Sequence, residues 1–134
     1  MKLKIYNAEN SATILLDKPI IRMNAKTGML SFSKQAVRLL ELSDEKGVIV
    51  ANDEESPKDW FIRVCHDKMA YKVKCGNNDK KGMVFFSSTA IVRKVFSTLG
   101  ITKNSVGFQI SRQPVVHEGL QYWLIITVSP FGIR

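Results

Sequence analysis

Carboxylates all but vanish from the second half of this chain: after position 67 only Asp79 and Glu118 remain, against ten Lys and Arg. Residues 1–67 hold ten side chains of each sign, so the formal charge of +8 belongs wholly to residues 68–134. A concentrated positive field gathers polyanions and speeds their encounter. That puts nucleic acid first among partners, ahead of an acidic protein or an anionic membrane surface. Cysteine is scarce too. Cys65 and Cys75 are too few for a disulfide framework or a zinc site. The only histidines, His66 and His117, sit beside Asp67 and Glu118 in expected turns and belong to no triad or metal motif. Neither GxGxxG nor GxxxxGK[ST] occurs, so no phosphate loop is present. No segment approaches the ~20 apolar residues of a membrane span, and MKLKIYNAEN turns polar before a signal-peptide core could form. The expectation is a cytoplasmic, non-enzymatic protein that needs no metal or cofactor and enters no membrane.

What is present points to one domain over residues 1–134, with 45% hydrophobic and 24% charged residues. An internal repeat organises it. Gly28-Met29-Leu30-Ser31-Phe32-Ser33 returns as Gly82-Met83-Val84-Phe85-Phe86-Ser87. A helical segment follows each copy, Lys34 to Leu42 and Ser88 to Leu99, and then a strand-like run, Gly47 to Asn52 and Val106 to Arg112. Each unit closes on a tryptophan strand, Asp59 to Val64 and Tyr122 to Thr127, and opens on Ile20 to Asn24 or Ala70 to Cys75. The reading is α+β: two tandem strand-strand-helix-strand-strand repeats, at about 20–65 and 70–128, forming antiparallel sheets packed with two helices around one core. Ser33 and Ser87 are placed to cap the helices, and Gly100 to end the second. In that helix Ile91, Val92, Val95, Phe96 and Leu99 share an apolar face, leaving Arg93, Lys94 and Ser97 outward. The strand at Trp123-Leu124-Ile125-Ile126 is apolar on both faces, which fits a central buried strand or a subunit interface.

A hairpin turning at His66 to Met69 is expected to set Cys65 against Ala70 and Trp60 against Cys75. The two thiols would then lie roughly 17 Å apart, beyond the ~7 Å limit for bridging. One face would be core. On the other, Phe61 would oppose Lys74 and Arg63 would oppose Lys72, with Lys68 at the turn and Lys80 and Lys81 in the next loop. Such a cationic face carrying one ring suits a nucleic-acid backbone with a base stacked on it.

The stretch from Lys26 to Val50, with its Lys-Thr-Gly turn, short strand, helix and acidic turn before a valine-rich hairpin, resembles the DNA-binding core of the AbrB/SpoVT family, including MazE-type antitoxins. Lys81-Gly82-Met83 and Thr98-Leu99-Gly100-Ile101 repeat the match more weakly. The resemblance implies two intertwined units that grip duplex DNA through hairpin turn and helix. It nominates Lys26 and Arg38, with Arg93 as the second-unit counterpart, and implies a transcription-regulator role; Lys94 joins the candidates from the basic outer face of the second helix. Ser33 and Ser87 stand in place of the family's proline, and Glu41 where the helix normally stops at glycine. By element order alone the chain is also similar to Whirly-type single-stranded DNA binders, which implies a sheet-face site for DNA or RNA instead. The remaining alternative is a structural or assembly protein meeting an acidic partner. A homodimer is compatible with each.

Overall fold

A computed structural model describes residues 1–3, 18–75 and 84–134. Lys80 and Lys81, with Gly82 and Met83 of the repeat, lie outside the described residues. The elements run β1 (Ile20–Asn24), β2 (Met29–Phe32), α1 (Lys34–Leu40), β3 (Gly47–Asp53), β4 (Ser56–Cys65), β5 (Tyr71–Lys72) and β6 (Lys74–Cys75). They continue with β7 (Val84–Ser87), α2 (Thr89–Leu99), β8 (Ser105–Ile110), β9 (Val115–His117) and β10 (Leu120–Phe131). The architecture is mixed α/β, with two helices and one large antiparallel sheet among the described residues. Its order is β5-β3-β4-β10-β8-β1-β2-β7-β6, and β9 pairs with β10. The strands at the two ends of that order are consecutive in the chain, separated only by buried Val73. The sheet is therefore nearly closed on itself, which leaves little open edge.

Alternation along each strand sets the inside. In β1, Ile21 and Met23 are fully buried while Ile20, Arg22 and Asn24 are half-buried. Ile21 pairs with both Phe32 and Phe108, Met23 with Leu30 and Val106, and Leu30 with Phe86. Inward residues thus meet inward residues around the sheet. Ile62 and Ile125 continue the same interior in β4 and β10, and α2 adds Val92, Val95 and Phe96. Phe86 stacks on Phe32 at 6.1 Å and on Tyr71 at 5.3 Å between ring centroids. One hydrophobic cluster draws on both halves of the chain.

The helices are short and firmly ended. Ser33 Oγ accepts from the Ala36 N–H at 3.2 Å. In the second helix the cap is Ser88, accepting from Ile91 N–H at 3.2 Å, not Ser87. Ser87 is still in the ladder, opposite Met29, so the first residue free to cap comes one position later. Both helices close with the same pair of backbone bonds, Glu41 N–H to Arg38 O with Leu42 N–H to Val37 O, and Gly100 N–H to Ser97 O with Ile101 N–H to Phe96 O. That closure stops α1 at Leu40, two residues before the apolar pattern ends.

One sequence expectation is overturned. β4 does not form a hairpin with the strand after it. Its neighbours are β3, from Gly47↔Cys65 to Asn52↔Trp60, and β10, at Phe61↔Leu124. Residues 70–75 split at Val73 into β5, which pairs with the far side of β3, and β6, which pairs with β7. The turn at Glu54–Glu55 gives the long β3–β4 ladder a minimal loop, and β10 fills the other edge of β4. The crossing to β5 is tight: a Cβ on Gly47 would come within 2.6 Å of the Ala70 Cβ. Glycine is the residue that lets the chain pass there. Both cysteines are free thiols, on strands that are not neighbours.

Candidate nucleic-acid interface

Lys26 lies in the turn between β1 and β2, which is built from side chain and backbone together. Asn24 Oδ1 accepts from the Lys26 N–H at 2.8 Å and the Thr27 N–H at 3.1 Å, an Asx turn that aims the chain back into β2. Gly28 completes it at φ +75°. Its carbonyl accepts from the Ser88 N–H at 2.8 Å, and an added Cβ would stand 2.6 Å from Thr89 Oγ1 and 3.0 Å from the Thr89 nitrogen. The Lys26 turn is thus seated on the start of α2. One turn further along that helix, Arg93 and Lys94 are exposed while Val92, Val95 and Phe96 are buried. The far end of α2 is tied to the sheet by Trp60 Nε1–H, which donates to Thr98 Oγ1 at 2.9 Å. Lys26, Arg93 and Lys94 are accordingly carried on a turn and a helix that touch at Gly28 and Ser88–Thr89.

The other candidates are dispersed. Arg38 is exposed on α1, whose Ala36 and Leu40 face the core. Lys68 is exposed in the loop before β5. Lys72 pairs with Gly47 and Lys74 with Phe85, so neither opposes Arg63 or Phe61 across a ladder. The continuous cationic sheet face expected from the hairpin is not formed. Arg63 instead pairs with Ile49, and Phe61 lies between Ala51 and Leu124. The Phe61 ring meets Tyr122 edge-on at 6.4 Å, and Tyr122 meets His117 at 6.3 Å. Tyr122 and His117 were not singled out by charge or motif. The signal for Tyr122 is the alternation of β10, whose outward set includes Leu120, Tyr122, Leu124 and Ile126, whereas His117 reaches it from β9.

The cations have little to neutralise them. Among the described residues, Lys26, Arg38, Arg63, Lys68, Lys72, Lys74, Arg93 and Lys94 form no ion pair, whereas His117 lies 3.8 Å from Glu118. Arg22 is a different case. Its guanidinium donates to the Gly132 carbonyl, and burial, then the like charge of Arg134, holds its pKa below the usual arginine range. It braces the chain end against the sheet. Cys75 is exposed, yet a hydrogen bond with Asp44, then desolvation and the carboxylate's charge, push its thiol up, away from thiolate reactivity. His66 Nδ1 lies 3.2 Å from the Glu45 carbonyl oxygen. No group of three metal-ligating side chains occurs among the described residues, and none of their helices is long and apolar enough to cross a membrane. No protein-family model, curated protein or solved structure matches the chain.

Proposed function

We propose that this protein is a non-enzymatic nucleic-acid-binding protein that grips duplex DNA through the junction of the β1–β2 turn with α2, in the manner of a transcription regulator. The observation that carries the reading is the seating of the Lys26 turn on Ser88 and Thr89. It puts an unpaired lysine on a turn that touches the helix carrying unpaired Arg93 and Lys94. Fixed cations without carboxylate partners exchange condensed counterions for phosphates, which is the main source of duplex affinity. The family resemblance nominates the same turn but pairs it with Arg38 on α1, naming Arg93 as the second-unit counterpart. In this reading the chain holds two related units. Their support is the crosswise pairing: β1 of the first unit joins β8 of the second, β5 of the second joins β3 of the first, and β2 pairs with β7, its counterpart in the repeat. Arg38 on α1 is then the first-unit counterpart of Arg93. The sheet-face alternative has lost its lysines, because Lys72 and Lys74 do not flank Phe61 and Arg63.

Fluorescence anisotropy on labelled duplex and single-stranded oligonucleotides tests this. Duplex binding should weaken steeply with salt, and Lys26→Glu with Arg93→Glu should lower affinity at least ~10-fold and reduce the salt slope by about two. Lys72→Glu with Lys74→Glu should change it much less. Absence of duplex binding at low salt, or a larger loss from the Lys72 and Lys74 pair, overturns the reading.

A further inference from the structure

β10 is central in the sheet, flanked by β4 and β8, and among the described residues only one of its sides packs into the core. Ile125 faces the core and is fully buried, while Leu124 and Ile126 on the other side are half-buried. No described element packs over them. The register extends this outer face: Leu124 pairs with Phe61, Phe61 with Ala51, and the Phe61 ring leans on Tyr122. At its border the face rises into the β9–β10 hairpin, where Val115 and Leu120 are also exposed. An apolar strip this continuous on a sheet exterior is the composition of an interface centre rather than of a solvated face.

The charges on β4 say what fits there. Asp59, Phe61 and Arg63 alternate on one strand, so all three point outward while Trp60 and Ile62 point in. The acid and the base stand two positions either side of the ring, roughly 14 Å apart along the strand. Among the described residues Arg63 has no ion-pair partner, and Asp59 accepts from the Ser56 hydroxyl at 2.8 Å. A two-fold axis through Phe61 and Leu124 would set Asp59 of one copy against Arg63 of another, twice, with the apolar residues meeting between them. A pattern of acid, ring and base centred on an apolar pair is complementary to itself, which is what an isologous interface requires.

We infer that the outer face of β4 and β10 is a homodimer interface, sealed by Phe61, Leu124 and Ile126 and aligned by reciprocal Asp59–Arg63 pairs. In the sheet order it lies on the opposite side from β2 and β7, so association leaves the Lys26 turn free. The inference does not rest on the nucleic-acid reading.

Sedimentation velocity on the full chain without nucleic acid tests it. Mass should rise from monomer to dimer over the range up to about 100 μM, and Leu124→Glu should shift the equilibrium at least ~10-fold toward monomer. Arg63→Asp and Asp59→Arg should each weaken association about as much, and the double exchange should restore it, an outcome that mere misfolding does not produce. A chain that stays monomeric throughout overturns the inference and leaves the face to a different protein. Dimers indifferent to Leu124→Glu, or a double exchange that rescues nothing, overturn it equally.

Discussion

The two helix ends make the same backbone closure with different residues. Gly100 stands at φ 68° and Glu41 at φ 53°. For a side chain with a Cβ, the left-handed region costs roughly 1–2 kcal/mol, which glycine avoids at the expense of a floppier unfolded chain. Glu41 is exposed, so nothing in the packing demands glutamate. Glu41→Gly should therefore stabilise the fold by about 0.5–1 kcal/mol. Gly100→Ala should cost about 1 kcal/mol from conformation alone, because a Cβ there meets nothing within 4 Å. Urea unfolding checks both: midpoints should move in opposite directions with slopes unchanged. The departure from glycine was legible in the sequence, but the backbone conformation that Glu41 holds was not, since a glutamate gives no sign of positive φ.

At the scale of elements, the sequence was most informative where a signal is local. β1 matches its expected bounds because alternation and flanking turns both mark it. The apolar stripe of α2 appears with Arg93 and Lys94 outward, as its spacing required. Pairing was legible only in part. A short loop between Cys65 and Tyr71 favours a hairpin on distance alone, and nothing local reveals that β3 and β10 already occupy both edges of β4. For the same reason the sequence put Lys72 and Lys74 beside Phe61, whereas the seating of the Lys26 turn on α2 had no sequence signal beyond Gly28 itself. That seating is open to substitution. Gly28→Ala combines positive φ with a Cβ 2.6 Å from Thr89 Oγ1, and should destabilise by about 2 kcal/mol or more. Duplex affinity should fall with it, at a temperature where circular dichroism still reports a folded chain. Adding Thr89→Ala removes the hydroxyl but not the 3.0 Å contact with the backbone nitrogen, so it should recover stability in part. Full recovery would mean that the turn's backbone strain counts for little.

On the scale of the whole molecule, the crosswise strand order decides how the chain must unfold. β1 is held between β2 and β8, and β4 between β3 and β10, so neither half can leave without stripping a neighbour from the other. The interior agrees, because Ile125 pairs with Trp60 and with Ile110 in one cluster that spans both halves. Two independent domains would instead each keep a core of their own. The chain supplies its own reporters. Trp60 is buried in the first half and donates to Thr98 of the second, while Trp123 is half-buried on β10. Variants keeping one tryptophan each, Trp123→Phe and Trp60→Phe, would each lose stability by a different amount, so the comparison is made within each variant, between its fluorescence and its far-ultraviolet circular dichroism. Both probes should give one midpoint in each variant, as an all-or-none transition requires. Val73→Ala, at the buried joint between β5 and β6, should cost about 2 kcal/mol and shift fluorescence and dichroism together in both backgrounds. If the Trp60 signal melts away from the dichroism while the Trp123 signal follows it, the halves fold separately and the shared interior is not what holds them.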